Sequence, residues 1–270
     1  MVVEFYKMNG AGNDFILIDN RSKKVKLTPQ QIVILCNRHK GIGADGIILL
    51  IPCENKEADW EWEFFNSDGS CAEMCGNGAR CFAKFIQMLT GVKEKVSFKT
   101  GAGIITAYFE GENVSVNMTQ PKDLEFNIHL PIDGAEKIVH FINTGVPHTV
   151  MVVEEVEKVD VKDLGSKIRW HNRFKPNGTN VNFAEVKGQS DIRVRTYERG
   201  IEDETLACGT GITASAIIVS KLFDFNPPIK VLVQSGDTLV VNFDKSDGLF
   251  KNVVLTGQAE FVFNGKVNIN

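Results

Sequence analysis

The sequence predicts a mixed α/β (α+β) protein built as two similar halves, and three observations carry that prediction. Short apolar and alternating runs of the kind that form strands recur along all 270 residues, with helix patterns between them. One phrase occurs twice, as Cys75-Gly76-Asn77-Gly78 and Cys208-Gly209-Thr210-Gly211, 133 residues apart. Each copy opens an apolar helix-forming stretch, residues 79–89 and 212–222, and each follows a strand pattern and a loop rich in Gly, Asp and Glu. One offset covers strand, loop, thiol and helix together, which favours duplication over coincidence.

In the first half, residues 5–8 and 15–19 have the length and apolarity of strands. Thr28-Pro29-Gln30-Gln31 starts a helix, with Thr at the N-cap, Pro at N1 and Gln at N3 closing a capping box; the helix should run to about Arg38. Residues 46–51 form a buried-strand pattern, and Trp60-Glu61-Trp62-Glu63-Phe64 alternates as a half-buried strand does. After the Cys75 helix come strands near 96–100, 104–109 and 114–118. The second half repeats the order more loosely, with strands near 139–142 and 150–153 and a helix capped by Asp160 that runs to Ile168. Strands near 181–186 and 192–197, the Cys208 helix, and strands near 231–233, 239–243, 253–255 and 261–263 follow. Turns such as Ser235-Gly236-Asp237 and Asp247-Gly248 separate the last of these. No Pro- or Ser-rich linker divides the halves, so they are expected to pack closely, with the boundary near Pro121.

A hydrophobic share of 43% with 24% charged residues is that of an ordinary soluble globular chain. The net charge of −4 and pI near 5.8 offer nothing to nucleic acid or to an anionic membrane. The N-terminus lacks an apolar signal region, and the longest aliphatic run, 47–51, is far too short to span a bilayer. A cytoplasmic chain is expected, and its six cysteines, at 36, 53, 71, 75, 81 and 208, are expected to be reduced. The C-x3-C-x5-C spacing of Cys71, Cys75 and Cys81 lacks the paired C-x2-C of structural zinc sites, so no metal is expected. Cys36 and Cys81 are expected to be small buried hydrophobes; Cys53 and Cys71 fall in polar loops.

Cys75 and Cys208 are different. A cysteine followed by Gly-x-Gly at a helix start meets free backbone N–H groups and the positive end of the helix dipole. Both favour a thiolate, and both bind a carboxylate. Two such helix starts facing each other would set two thiols on opposite sides of one small acid, an arrangement that suits moving a proton from one face of a carbon to the other. A thiol-redox role would instead want C-x-x-C, which is absent.

The chain resembles the diaminopimelate epimerase family along its whole length. The residues that carry the resemblance are 7–15, Gly41-Ile42-Gly43-Ala44-Asp45-Gly46, 65–69, 75–81, Gly145-Val146-Pro147-His148, 178–183, Glu198-Arg199-Gly200 and 207–211, in family order. The resemblance implies two similar domains, each a curved, mostly antiparallel sheet wrapped around a central helix, with the last strand returning to the first domain. The domains would be 1–119 plus 259–270, holding Cys75, and 120–258, holding Cys208. It also implies LL-2,6-diaminopimelate turned into the meso form without a cofactor, one cysteine acting as thiolate base and the other as thiol acid. A cytoplasmic homodimer acting on a small amino acid is implied as well.

By the same resemblance Gly76, Asn77, Gly209 and Thr210 would cradle the reacting carboxylate. Asn13, Asn66, Asn180, Glu198 and Arg199 would hold the rest of the substrate, with the Arg199 fork suited to a distal carboxylate. His148 would support a thiol. Val146 and Gly46 depart from common family residues, and the loop 200–205 is one residue longer than usual; all three bear on the far end of the substrate. A sister racemase for histidine or another diamino acid is the alternative. A binding-only relative would be expected to lack a thiol.

Overall fold

The computed structural model describes residues 1–246 and 248–269. In chain order its elements are β1 (Val2–Gly10), β2 (Asn13–Asp19), α1 (Pro29–Cys36), β3 (Gly46–Ile51), β4 (Trp60–Asn66), α2 (Gly76–Thr90), β5 (Lys95–Thr100), β6 (Gly103–Glu110) and β7 (Asn113–Asn117). They continue with β8 (Lys122–Ile132), β9 (Ala135–Asn143), β10 (Pro147–Val152), α3 (Val161–Arg169), β11 (Asn180–Gly188), β12 (Asp191–Glu198), β13 (Asp203–Thr205) and α4 (Gly209–Phe223). The last four are β14 (Ile229–Leu232), β15 (Thr238–Ser246), β16 (Leu249–Gln258) and β17 (Glu260–Asn268).

The chain divides into two compact units, Met1–Val116 with Gly257–Asn270, and Asn117–Thr256. In the first, strands pair in the order β17-β1-β2-β3-β4-β5-β6-β7; β2/β3 and β4/β5 are parallel and the other neighbours antiparallel. In the second the order is β8-β9-β10-β11-β12-β14-β15-β16, with β10/β11 and β12/β14 parallel and the rest antiparallel. The two orders match strand for strand. In each, a helix makes the first parallel crossover (α1, α3) and a cysteine-started helix makes the second (α2, α4). The edge strand next to β1 is β17, from the far end of the chain, whereas its counterpart β8 directly precedes β9.

Local sequence explains the elements. Thr28 caps α1 with both bonds of the capping box in place. The helix stops at Cys36 rather than Arg38, because Asn37 turns extended and its Oδ1 accepts from the backbone N–H groups of His39 and Lys40. The hairpin β8–β9 was only half expected, although residues 124, 126, 128, 130 and 132 alternate apolar and Asp133-Gly134 supplies two positive-φ turn residues. Its β8 strand is irregular, with register shifts near Asp123 and Asn127, both left-handed. The loop expected after Arg199 turns back as β13 and pairs with β12. Cys53, expected in a polar loop, is buried; Cys71 is exposed. The Asp247 of the expected Asp247-Gly248 turn lies outside the described residues. Among the described residues, no helix is long and apolar enough to cross a membrane.

The central helices are held by burial. On α2, Phe82 meets Trp62 of β4 and Phe98 of β5 edge-on, with ring centroids 5.6 and 4.9 Å apart. Such pairs each contribute about 1 kcal/mol beyond area burial. From Ile212 to Ser220, α4 is buried on every side, as a helix enclosed by its sheet must be. Cys81 on α2 and Cys36 on α1 are both pushed up to about 12, burial being the main cause in each, so both stay thiols.

Helix α3 packs against β12 through Gly165, where an added Cβ would stand 2.5 Å from Tyr197 Cβ. Alanine is the better helix former, but the clash should dominate. Gly165→Ala is expected to destabilise the chain by about 2 kcal/mol, read as a lower denaturant midpoint at unchanged slope. A raised midpoint would show the contact to be slack.

Candidate active site

Both repeated phrases form helix starts. Cys75 and Cys208 are the N-caps of α2 and α4, each in extended conformation, so the two helices begin at Gly76 and Gly209. Cys75 Sγ accepts from Gly78 N–H at 3.4 Å; Cys208 makes no side-chain cap bond. Cys75 is half-buried and Cys208 buried.

Around Cys75 the structure brings together Asn13, Gly76 and Asn77. Asn13 opens β2, and its Oδ1 accepts from Cys75 Sγ and from Asn77 Nδ2, each at 3.4 Å. The other end of that amide, Nδ2, donates to Asp45 Oδ2 at 2.6 Å. Asn77 is buried and oriented by the fully buried Arg80, whose Nη2 donates to its Oδ1 at 3.1 Å. Asn66 closes β4 on the exposed side, where its Nδ2 donates to Ser70 Oγ at 3.0 Å.

Behind Asn13 lies a charged cluster that sequence reasoning missed. Arg38 grips both oxygens of Asp14 at 2.9 and 2.8 Å and reaches Asp45 Oδ1 at 2.7 Å. Lys7 adds an ion pair to Asp14 at 2.7 Å and donates to the carbonyl of Gly43. Burial alone would raise the Asp14 carboxyl, but the bonds from Arg38 and Lys7 outweigh it and hold the group at about 2. Asp14 and Asp45 both stand inside phrases the sequence had singled out, which was the available signal.

Around Cys208 lie Gly209, Thr210 and His148. Thr210 Oγ1 is 3.5 Å from Cys208 Sγ and 2.8 Å from His148 Nε2. His148 is fully buried and pushed down to about 3, first by desolvation and then by the Arg199 charge, so its imidazole is neutral. Its Nδ1 meets Asn182 Nδ2 at 3.1 Å. Asn182, also missed, is a fully buried amide between Val181 and Phe183 of β11. Gly211 must be glycine, since a Cβ there would come within 2.2 Å of Asn182 Oδ1.

Asn180, Glu198 and Arg199 gather at the ends of β11 and β12. Asn180 Oδ1 accepts the Arg199 backbone N–H at 2.9 Å, and its Nδ2 donates to Pro147 O at 3.0 Å. The Arg199 guanidinium is half-buried and, among the described residues, paired with no carboxylate. Desolvation lowers its affinity for a proton, and the like charge of Arg169 adds to this. Arg169 is itself paired with Glu202 at 3.2 Å.

Solved structures share this fold. A PhzF-family phenazine biosynthesis protein from Bacillus anthracis superposes with a TM-score of 0.76 at 14% identity, covering 100% of each chain. A probable proline racemase from Agrobacterium radiobacter K84 gives 0.74 at 14% identity, covering 99% of this chain and 93% of that one. At 14% identity these two structures show the fold alone. Sequence relatives are more specific. The diaminopimelate epimerase of Aquifex aeolicus (strain VF5) is 47% identical over 277 aligned positions, covering 98% of each chain. That of Hydrogenobaculum sp. (strain Y04AAS1) is 39% identical over 274, covering 97% of each. A family model described as diaminopimelate epimerase matches residues 5–124 and 140–262. The chain belongs to the diaminopimelate epimerase family.

The Asp14 cluster has a pH signature. A depressed carboxyl contributes stability that is complete above its unfolded value, near 3.8, and lost as pH falls through about 2. Asp14→Asn should remove about 2 kcal/mol of that acid-dependent stability, seen as a flatter melting-temperature profile between pH 4 and 2. An unchanged profile would mean that Asp14 is not held by its cations.

Proposed function

We propose that this chain converts LL-2,6-diaminopimelate into the meso isomer by two-base proton transfer between Cys75 and Cys208, with no cofactor. The observation that carries the reading is the pair of cysteine N-caps, one on the central helix of each unit. An amino acid α-proton is very weakly acidic, so its removal needs strong stabilisation of the developing carbanion. Two helix N-termini, with the N–H groups of Gly76, Asn77, Gly209 and Thr210 directed at the α-carboxylate, supply it electrostatically. One cysteine, as thiolate, takes the proton; the other, as thiol, delivers one to the opposite face. The Asn13 and Asn66 amides, with Asn180 and Glu198, hold the ammonium groups and the amino acid backbone. The desolvated Arg199, which pairs with no carboxylate among the described residues, takes the distal carboxylate through two parallel bonds. Each unit is a catalytic half, so neither suffices alone. The product serves lysine and peptidoglycan synthesis in the cytoplasm, and the working form is a homodimer.

Proton NMR of LL-diaminopimelate with the reduced protein in D2O tests this directly. The α-proton signal should disappear as the meso isomer accumulates, and Cys75→Ala and Cys208→Ala should each abolish inversion. Activity in either single variant would sink the two-base reading. Arg199→Lys should raise KM for diaminopimelate about tenfold or more, the loss of one charge-assisted bidentate contact, while barely affecting exchange of an amino acid without a distal carboxylate. Equal effects on both would remove Arg199 from that end.

A further inference from the structure

We infer that the two thiols are unequal before substrate arrives: Cys208 rests as the thiolate and Cys75 as the thiol, set by amides of fixed orientation that act through Thr210 and Asn13. The inference rests on the two-thiol reading above, but its geometry lies wholly within each unit.

The Cys208 side begins with Asn182. Its Nδ2 stands 3.1 Å from the carbonyl oxygen of Thr149, which can only accept, so that end of the amide is the donor. Its Oδ1 in turn accepts the Thr196 hydroxyl at 3.0 Å. The second N–H of Asn182 therefore points at His148 Nδ1, which must accept. A neutral imidazole that accepts at Nδ1 carries its proton on Nε2. That proton goes to Thr210 Oγ1, 2.8 Å away. Among the described residues the Thr210 hydroxyl has one other partner, Cys208 Sγ at 3.5 Å. Its single hydrogen is thus directed at the sulfur, which it stabilises as an anion. Burial keeps His148 neutral, and the neighbouring Arg199 charge reinforces that, so the relay does not collapse into an imidazolium.

On the Cys75 side the Gly78 N–H makes a long 3.4 Å approach to the sulfur, but the side chain that faces it has the opposite polarity to Thr210. Asp45 Oδ2 can only accept, so it fixes the Asn13 amide with Nδ2 toward itself. Arg38 holds Asp45, and Arg38 is anchored in turn by Asp14 beside Lys7. The Asn13 oxygen is left facing Cys75 Sγ at 3.4 Å. An anion there would face a carbonyl dipole negative end first, whereas a thiol donates to it. Asn77 cannot reverse this, because Arg80, a pure donor, fixes its amide oxygen. Behind Asn13 stand the charges of Asp14, Asp45, Lys7 and Arg38, and Arg80 lies on α2 beside Asn77; on the other side His148 feels the charge of Arg199.

One turnover then has a direction. The Cys208 thiolate removes the α-proton and becomes a thiol; the Cys75 thiol gives its proton to the other face and becomes a thiolate. The pair returns to rest by exchanging protons with water. Asn182, His148 and Asp45 are positioning residues that touch no substrate.

Alkylation reads the sulfurs without catalysis. The whole reduced chain is treated with iodoacetamide across a pH series, and modification of Cys75 and Cys208 is followed separately by peptide mass spectrometry. The Cys208 midpoint should lie at least about one pH unit below that of Cys75, tenfold in thiolate fraction at a given pH. Thr210→Val should raise the Cys208 midpoint by a similar amount, and Thr210→Ser should restore it. Asp45→Asn, which frees the Asn13 amide to turn, should lower the Cys75 midpoint. Equal midpoints, or a Cys75 midpoint below that of Cys208, would overturn the inference on the unmodified chain. So would a folded Thr210→Val variant, verified by its thermal melt, that left Cys208 unmoved. Failure of the two-thiol reading would show differently, as inversion by Cys75→Ala or Cys208→Ala.

Discussion

Both central helices start on a residue that caps poorly, and much else in the structure follows from that. Serine, threonine or aspartate at an N-cap would stabilise a helix by about 1 kcal/mol relative to a non-capping residue. Here Cys75 makes a long 3.4 Å bond to one backbone N–H and Cys208 makes no cap bond. The positive end of each dipole is therefore available to a ligand rather than spent on the protein's own side chain. What compensates is enclosure. A helix such as α4, buried on all sides from Ile212 to Ser220, is held by its sheet and needs little from its terminus.

That enclosure demands close approach, and close approach explains the glycines of the repeated phrase. Gly211 lies against Asn182, and a side chain there would strike the amide oxygen. The same contact lets a buried polar amide sit under a helix start with both its N–H groups and its oxygen satisfied. The first unit reaches a similar end differently. Gly78 faces Ile48 and Phe15, an apolar floor, and its polar support comes from the side, through Asn13. Two copies of one architecture thus repeat the same helix-start backbone while surrounding the two sulfurs with different chemistry.

Sequence and structure agree most where one local rule acts alone. The capping box at Thr28, the alternation of Trp60 to Phe64 and the cysteine-led helix starts were all legible. The β8–β9 hairpin was half missed, although its alternation and its Asp-Gly turn were present, because Pro131 and two left-handed residues interrupt a mostly exposed strand. Of the residues expected at the site, Asn13, Asn77 and Thr210 were singled out beside their cysteines, where the structure also places them. Asp45 and Asn182 were not, because each matters through a partner remote in sequence. Nothing local to Asp45 shows that Asn13 is 2.6 Å away, 32 positions earlier in the chain. Nor does a polar residue in a strand reveal that it will lie under a helix arriving from residue 209 onward.

The strand that covers the edge of β1 is made after every strand of the second unit. β17 pairs with β1 from Val2↔Asn268 to Asn9↔Glu260, whereas every strand of the second unit lies between residues 117 and 258. During synthesis the second sheet therefore acquires all its strands while β1 still has an open edge. The usual order, in which the N-terminal part of a chain finishes first, is inverted. A nascent first unit exposes the backbone of β1 until residues 260–268 emerge, an interval in which a chaperone or a neighbouring chain has access to a sheet edge that the folded chain covers.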